Sequence, residues 1–373
     1  MKIVYNIDDI HSKGGTQRVT LRKINYLVET YGYDVHIIVN NFYGQSPSFR
    51  LNESVKIHHL NYSNLIFGKV IFLLSLIRGI FSFGFNFKKI IDEINPDIII
   101  TTNNNPEEIL LPFICRNYKT IQEFHYSMAI QKYNLYNVGY FKKIYSYCIN
   151  IVYKWSFSNY NYFVALTKKD LSEWNLKNGI VISNPIEIPA FKFNNYQKKQ
   201  AIAVGRFVFQ KGFDLLLKIW KTTIHKHHDW KLLICGPGNK IPYMKMAEQM
   251  HIKNIEFLDE RDNIEDLFYD SSIFLFTSRF EGFGLVLAEA MSIGMAAISF
   301  DCPCGPSDMI ENNRNGFLIP HENVIDFSDK LNELMSDVGL REKFGHEAYK
   351  TIQTFSEEKI MNQWNDLFLS LCN

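Results

Sequence analysis

The residues from Arg279 to Ala290 (RFEGFGLVLAEA) combine a pair of glycines with two carboxylates eight residues apart. A buried strand is expected just before them, and the glycine pair favours a tight turn into a helix. The N–H groups of residues 283–286 would start that helix, where unpaired donors and the helix dipole bind anions. Glu281 and Glu289 then suit a ligand with a phosphate between two sugars, because each carboxylate can accept hydroxyl hydrogen bonds. Glu289 could equally be an exposed helix glutamate.

Two cations follow a second expected strand, Ala201–Gly205. Arg206 and Lys211 are five residues apart in GRFVFQKG, at a strand-to-helix turn, so both could reach one ligand. Arginine offers a planar fork to two phosphate oxygens and lysine a mobile point charge, a combination that suits a diphosphate. The alternative is a pair of solvated surface cations.

Another glycine pair, Gly14-Gly15 in KGGTQR, precedes a helix expected from about Gly15 to Tyr31. Such a loop lets a phosphate approach the backbone at a helix N-terminus. It matches neither the dinucleotide fingerprint nor the Walker loop, so a structural tight turn is the alternative. The missing fingerprint also argues against a dehydrogenase.

The elements that must position these residues alternate between apolar strands and helices. Apolar runs without a polar alternation, joined by helices, are typical of parallel sheets covered on both faces. The predicted fold class is therefore α/β, with two Rossmann-like domains. The predicted strands are Lys2–Asn6, Asp34–Asn40, Asp97–Thr101, Thr120–Phe124, Tyr162–Leu166, Ile180–Ser183, Ala201–Gly205, Lys231–Cys235, Ile273–Thr277 and Ala297–Asp301.

A polar stretch, Phe191–Gln200 (FKFNNYQKKQ), interrupts the pattern and predicts a linker. We expect one domain over residues 1–190 and a second over 191–354. An amphipathic helix at 355–373, with Ile360, Trp364, Leu367 and Leu371 on one face, is expected to join the first domain. In such folds ligands bind at the carboxyl ends of the strands, here in the cleft between the domains.

Composition narrows the class of protein. The chain has 373 residues, 46% hydrophobic and 21% charged, with a net charge of +1, which does not favour nucleic-acid binding. The charge is uneven, +6 over residues 1–190 and −5 over the rest, which suggests an anionic partner or membrane on the first side or, alternatively, an ordinary solvated face. The six cysteines do not form a metal-ligand or disulfide pattern. The start of the chain lacks the apolar segment of a signal peptide, so a cytoplasmic location is expected.

One apolar run, Leu65–Phe87, raises the question of a membrane. Lys69 and Arg78 interrupt it, and the apolar stretch between them is too short to span a bilayer. It predicts a buried core helix or, alternatively, a helix in the membrane interface whose two cations reach the headgroups.

Several motifs together resemble one family. EGFGLVLAE looks like the E-x7-E motif of retaining glycosyltransferase family 4, which has the GT-B fold of two facing Rossmann-like domains. VGRFVFQKGFD is similar to that family's phosphate-binding segment, and KGGTQRV resembles its N-terminal glycine loop. NPIEIP resembles its interdomain connection, and the terminal helix resembles the segment that crosses back to the first domain. The resemblance covers nearly the whole chain.

The resemblance implies a role in donor binding for the matching residues. Glu289 would bind the ribose hydroxyls of the nucleotide, and Glu281 would hold hydroxyls of the donor sugar. Arg206 and Lys211 would neutralise the diphosphate in place of a metal, since the chain lacks an Asp-x-Asp triad. The diphosphate would also receive backbone hydrogen bonds from Gly15, Phe283, Gly284 and Leu285.

Two further residues match family members by their position in the sequence. Arg261 falls where relatives contact the base, and His125, in QEFHYSM, matches a histidine that relatives place beside the donor sugar and acceptor. The alternative for His125 is a satisfied core histidine. Fixed cations and helix N–H groups would stabilise the departing diphosphate, without a metal or other cofactor. The reaction usually proposed for the family occurs on one face of the sugar, and the leaving phosphate takes the acceptor proton.

The resemblance also suggests a substrate class. Asp301–Asp308 (DCPCGPSD) resembles a loop common in family members that build bacterial polysaccharides and lipid-linked glycans from a UDP-hexose or UDP-N-acetylhexosamine. We therefore expect a retaining α-glycosyltransferase with a UDP-sugar donor and a glycan or lipid-linked glycan acceptor. It would work in the cytoplasm, with peripheral contact to the membrane. The alternatives are a nucleotide-sugar 2-epimerase of the same fold and a non-catalytic nucleotide- or glycan-binding module.

Overall fold

The computed structural model describes residues 1–41, 46–60, 72–102, 109–128, 140–189, 194–261 and 263–372. Within these ranges, residues 72–81, 140–143 and 145 are described by their backbone alone. The chain divides into two compact units, Met1–Pro185 with Ile360–Asn373, and Ile186–Lys359. Each unit is a parallel sheet with helices, so the α/β class predicted from the sequence is confirmed.

The described residues of the first unit form seven strands and several helices. Its strands are β1 (Lys2–Ile7), β2 (Asp34–Val39), β3 (Lys56–His59), β4 (Ile98–Thr101), β5 (Lys119–Phe124), β6 (Tyr162–Ala165) and β7 (Gly179–Val181). Its described helices are α1 (Gly15–Tyr31), α2 (Phe72–Ile94), α3 (Leu111–Ile114), α4 (Tyr140–Phe157) and α5 (Lys168–Trp174).

The second unit contains six strands. They are β8 (Gln200–Val204), β9 (Lys231–Cys235), β10 (Ile255–Leu258), β11 (Ile273–Phe276), β12 (Ala296–Phe300) and β13 (Gly316–Ile319). Its described helices are α6 (Phe213–Ile224), α7 (Ile241–Gln249), α8 (Glu265–Tyr269), α9 (Leu285–Ser292), α10 (Pro306–Met309), α11 (Val324–Ser336) and α12 (Val338–Ile352). A last helix, α13 (Glu357–Cys372), leaves this unit and contributes most of its length to the first.

Both sheets have the same doubly wound topology. The strand order is β3-β2-β1-β4-β5-β6-β7 in the first unit and β10-β9-β8-β11-β12-β13 in the second. In each sheet the order reverses beside the first strand, and the loops that follow the two strands at that switch point form a crevice for ligands. The strands β8 and β11 flank the switch point of the second unit.

The central strands β4 and β11 are buried on both faces and consist mainly of β-branched or aromatic residues. The three strands missed from the sequence, β3, β10 and β13, all lie at sheet edges. The predicted linker at 191–200 lies partly outside the described residues, and β8 begins at its last residue, Gln200. The division between the units falls at Ile186, five residues before the predicted boundary.

The helix α13 completes the core of the first unit. Ile360, Met361, Trp364 and Phe368 are buried in the same apolar cluster as Ile3 and other residues of the central strands. Three of the four residues predicted to share its apolar face are buried, and Leu371 is partly buried against the same cluster. The last helix is therefore a structural part of the first unit.

The apolar run Leu65–Phe87 is described only in part, because residues 65–71 lie outside the described residues and Arg78 is described by its backbone alone. Where side chains are described, Phe83, Phe87 and Ile91 of α2 are buried in the core of the first unit, and Phe85 is 75% exposed. Within the described part of the chain, no helix combines the length and the apolar character needed to span a bilayer.

Candidate active site

Four of the residues predicted to bind a donor follow strands of the second unit, at the carboxyl edge of its sheet. Arg206 and Lys211 follow β8, Glu281 follows β11, and Arg261 follows β10. Because β8 and β11 are neighbours at the switch point, their two loops meet, whereas the Arg261 loop lies two strands away from β8. The first two loops therefore form the centre of the candidate site.

An ion pair joins the two central loops. Lys211 Nζ lies 2.7 Å from Glu281 Oε1, and the two side chains are only 14% and 9% exposed. The lysine side chain passes over Gly205, where a Cβ atom would lie 3.0 Å from Lys211 Cδ. The glycine at the end of β8 therefore leaves room for a cation beside the Glu281 carboxylate.

Arg279 and Gln210 hold the same loops together. The Arg279 guanidinium donates two hydrogen bonds to the Asp214 carboxylate, at 2.8 and 2.7 Å, and its Nε donates to Glu322. The Arg279 N–H donates to Gln210 O at 2.7 Å, and Gln210 Nε2 donates to Phe280 O at 3.0 Å. Burial alone would raise the pKa of Asp214, but the hydrogen bonds and charge of Arg279 outweigh it and lower that pKa. The Asp214 carboxylate is therefore ionised, and the hydrogen bonds of Arg279 and Gln210 hold the loops in place.

Gly212, directly after Lys211, has a positive φ of 64°, and a Cβ atom there would overlap Thr277 O. We expect Gly212→Ala to lower the free energy of unfolding of the second unit by about 3 kcal/mol, from left-handed strain and overpacking together. Displacing Lys211 should also abolish most activity. Gly32→Ala is the matched control, because Gly32 has a φ of 66° but no heavy atom within 4 Å of the place that an alanine methyl group would occupy.

The control should cost about 1 kcal/mol, the strain alone. Chemical denaturation, monitored by the hydrogen exchange of amides in each unit, measures the loss of stability of each variant. Equal losses for the two variants would show that the close approach of the loops at Thr277 is not important for stability.

The glycine pair of the third motif starts a helix, as predicted. Gly284 is the N-cap of α9 and has a φ of 92°, a conformation that favours glycine. The N–H groups of Leu285 and Val286 precede the first hydrogen bonds of the helix, which Leu287 and Ala288 donate to Gly284 O, so the site presents two donors and a positive dipole end. The Phe283 ring is buried against Phe355, with ring centroids 5.7 Å apart, and Glu289 is half-buried on the second turn of the helix.

The loop with the two cysteines, 301–308, packs behind Glu281. The Glu281 N–H donates to Pro303 O at 3.3 Å, and Cys302 and Cys304 are both fully buried. Burial and the Glu281 carboxylate raise the pKa of the Cys302 thiol well above its ordinary value, so the thiol is neutral. Within the described ranges, no three His, Cys, Asp or Glu side chains are grouped as metal ligands.

Arg206 and Arg261 differ from Lys211 because both side chains are exposed. Neither makes an ion pair with any residue that the structure describes. Arg206 is two residues from the end of β8 and can reach a ligand at the switch point. The position of Arg261, after the edge strand β10, places it at the periphery of the same sheet edge.

Two predicted residues, Gly15 and His125, belong to the first unit. Gly15 is the first residue of α1, as predicted, with Gly14 as its N-cap. His125 directly follows β5 and is 8% exposed, and its Nε2 lies 3.1 Å from Glu123 Oε1. His125 therefore stands at a strand end, as a ligand-binding residue does, and has a carboxylate beside it.

Sequence reasoning missed four charged residues that support these sites: Lys23, Glu123, Asp214 and Arg279. Each is buried or half-buried and paired with another of the four. A signal was present for Lys23, since it lies on α1 between Val19 and Leu27, at the spacing of the buried face. Glu123 likewise is a charged residue within β5, a strand in which every residue after Lys119 is buried.

Comparison with known proteins agrees with this arrangement. The family described as "Glycosyltransferase Family 4" matches residues 13–188, and the family described as "Glycosyl transferases group 1" matches residues 186–351. The chain belongs to glycosyltransferase family 4. Its predicted fold, GT-B, is confirmed by the similar structures below.

Among curated relatives, this family 4 glycosyltransferase is 28% identical to the amylovoran biosynthesis glycosyltransferase AmsD of Erwinia amylovora, over 98% of this chain and 99% of the relative. It is 28% identical to an uncharacterized glycosyltransferase of Haemophilus influenzae, over the same shares. It is 30% identical to the poly(ribitol-phosphate) alpha-N-acetylglucosaminyltransferase of Staphylococcus aureus, over 68% of this chain and 52% of the relative.

Solved structures show the same fold. TarM of S. aureus superposes with a TM-score of 0.78 at 18% identity, over 98% of each chain. HepE of Anabaena, solved in complex with UDP, superposes with a TM-score of 0.76 at 14% identity, over 99% of this chain and 100% of HepE.

Proposed function

We propose that this glycosyltransferase is a retaining α-transferase that moves a hexose or N-acetylhexosamine from a UDP-sugar to a glycan acceptor in surface-polysaccharide or lipid-linked oligosaccharide synthesis. AmsD, which is named as an amylovoran biosynthesis glycosyltransferase, resembles this chain over nearly the full length of both proteins and so supports the polysaccharide class. The S. aureus relative, named as an alpha-N-acetylglucosaminyltransferase, supports the linkage and the sugar class. The HepE structure, which contains UDP, supports the nucleotide.

The observation that carries the proposal is the buried Lys211–Glu281 pair at the switch point of the second sheet. A cation there can bind the diphosphate, and a carboxylate touching it can accept hydrogen bonds from the donor sugar. The pair therefore presents one group for each half of a sugar diphosphate.

The proposed mechanism is electrostatic. As the bond between sugar and diphosphate breaks, negative charge develops on the leaving oxygen, and preorganised cations and N–H groups stabilise it. We assign this role to Lys211, Arg206 and the first N–H groups of α9, and we also assign a backbone hydrogen bond to Gly15. In this proposal no metal is needed, because the two side chains supply the positive charge. Glu289 holds the ribose and Arg261 the base.

On the acceptor side we propose that the first unit binds a glycan or lipid-linked glycan. His125 lies beside the donor sugar and the acceptor in this proposal. The net charge of +6 over residues 1–190 supports an anionic partner such as a lipid pyrophosphate, with peripheral contact to the cytoplasmic face of the membrane. Binding to vesicles with and without anionic lipid tests that part by itself.

A thermal-shift measurement in EDTA tests donor binding. Ligands that bind only the folded state raise the melting temperature, so UDP and one UDP-sugar should give a shift that depends on concentration. Glu289→Gln should weaken UDP binding at least about tenfold, because a charged hydrogen-bond acceptor becomes neutral. Glu248→Gln, an exposed glutamate on α7, is the control and should bind like wild type.

The outcomes separate the alternatives. A shift with GDP or ADP compounds alone would overturn the UDP donor, and no shift with any nucleotide would favour a binding module. Conversion of the UDP-sugar itself without net release of UDP would favour the 2-epimerase. The anomeric configuration of the product, read by NMR, decides between retention and inversion.

A further inference from the structure

A buried ion pair in the first unit serves no role in the site described so far. Lys23 Nζ, on α1, lies 2.6 Å from Glu123 Oε1 on β5, and the two side chains are 0% and 1% exposed. The ammonium group also lies 3.7 Å from the centre of the Trp364 ring, on α13. Two full charges are thus held within the apolar cluster that contains Ile24, Ile121 and Trp364.

The carboxylate of this pair has a second neighbour, His125. The same oxygen that meets Lys23, Glu123 Oε1, lies 3.1 Å from His125 Nε2, an electrostatic contact whose angles are not those of a hydrogen bond. His125 is two residues further along the chain, at the carboxyl end of β5, and its side chain is only 2% exposed. Glu123 therefore connects a buried cation to the histidine at the edge of the sheet.

A neutral pair of similar size would fill this space without the cost of removing two charges from water. The arrangement does, however, place a negative charge beside one ring nitrogen. A neutral imidazole carries its proton on one of two nitrogens, and a neighbouring carboxylate favours the proton on the nitrogen that it faces. The other nitrogen is then left as a hydrogen-bond acceptor.

We propose that Glu123, held in place by Lys23, is a positioning residue that keeps the His125 proton on Nε2 and so leaves Nδ1 free to accept a hydrogen bond from a sugar hydroxyl. The assignment of a sugar to His125 rests on the proposed function, whereas the position of the proton does not.

The charge state of the network agrees with this role. Burial alone would raise the pKa of Glu123, but the charge and hydrogen bond of Lys23, together with the contact with His125, outweigh it and lower the pKa to about 2. Glu123 is therefore a carboxylate at neutral pH and can attract the proton on Nε2. Lys23, on α1, holds the Glu123 carboxylate of β5 in place, and the Trp364 ring covers the lysine ammonium group.

The test reads the proton directly, by NMR of protein labelled with ¹⁵N-histidine at alkaline pH and without any donor. The signals of His125 are assigned from the spectrum of His125→Gln. In the wild-type protein we expect the pattern of a proton on Nε2. A proton on Nδ1 in the wild type overturns the proposal without the need for a further variant.

The double variant Lys23→Met/Glu123→Gln removes both charges together and so leaves no buried charge unpaired. We expect the two tautomers of His125 to become mixed, and kcat to fall about tenfold or more, with the donor KM within about twofold of wild type. If the proton stays on Nε2 in this variant, Glu123 does not position it.

Asn178→Ala is the control for mere loss of stability. Asn178 lies in the same unit and donates hydrogen bonds to Phe157 O and Tyr160 O, away from His125. This variant should melt earlier than wild type, with unchanged His125 signals. In the double variant, a changed tautomer of His125 together with an unchanged kcat would support the positioning role of Glu123. It would argue instead against the role of His125 in the proposed reaction.

Discussion

Replacing Lys211 by alanine is expected to lower kcat/KM by about 10²- to 10³-fold, the usual effect of removing one preorganised group that stabilises a developing negative charge. Lys211 is the cation fixed at the switch point, held 2.7 Å from Glu281 and lying across Gly205. The substitution removes a positive charge that is already in position before the reaction and does not have to move during it. Most of the loss should appear in kcat, because the interaction strengthens as the diphosphate departs.

Steady-state kinetics with the donor identified by thermal shift measures this effect. Lys221→Ala is the matched control, since Lys221 is exposed on α6, ten residues further along the chain, and should change kcat/KM by less than about twofold. Circular dichroism and the melting temperature verify that Lys211→Ala is folded. A folded variant that retains wild-type kcat would remove Lys211 from the mechanism.

The largest effect on stability is expected at Lys23. Lys23→Met leaves the Glu123 carboxylate buried without its cation, and breaking a buried pair in this way costs about 3–5 kcal/mol. The double variant Lys23→Met/Glu123→Gln should lose much less, because no charge remains buried. The protection of β1 and β5 amides in hydrogen exchange measures the stability of the first unit specifically. Single and double variants of equal stability would contradict the prediction.

The same pair predicts a dependence on pH. An unfolded Glu123 takes up its proton near the ordinary pKa of 4.5, whereas the folded one remains ionised until about pH 2. Between these values the unfolded state binds more protons, so the stability contributed by the pair is present above about pH 4.5 and is lost as the pH falls toward 2. Acid titration of the double variant should lack this component.

Much of the fold follows from local patterns in the sequence. The strands found from the sequence include all of the central ones, because a strand buried on both faces is a continuous apolar run. The missed strands β3, β10 and β13 are edge strands. The first carries the sequence KIHH and is partly exposed, and the last begins with a glycine, so neither gives a strong apolar signal.

Motifs in the sequence predict individual residues of the site but not the contacts between them. Arg206, Lys211 and Glu281 stand at strand ends, and strand ends come together in a doubly wound sheet. The pairing of Lys211 with Glu281, however, joins residues 70 positions apart, and that of Lys23 with Glu123 joins residues 100 positions apart. Such pairings depend on which strands are neighbours and on the direction of each side chain, which no local pattern records.

The helix α13 has a consequence for the order in which the protein is made. The second unit is one continuous segment, Ile186–Lys359, and can fold as soon as that segment has left the ribosome. The first unit, although synthesised earlier, still lacks the residues from Ile360 onward, including the tryptophan that covers Lys23. The nascent first unit therefore waits, with part of its apolar core uncovered, until all of the second unit has been translated. The half of the chain that is made first therefore cannot complete its core before the residues from Ile360 onward are made.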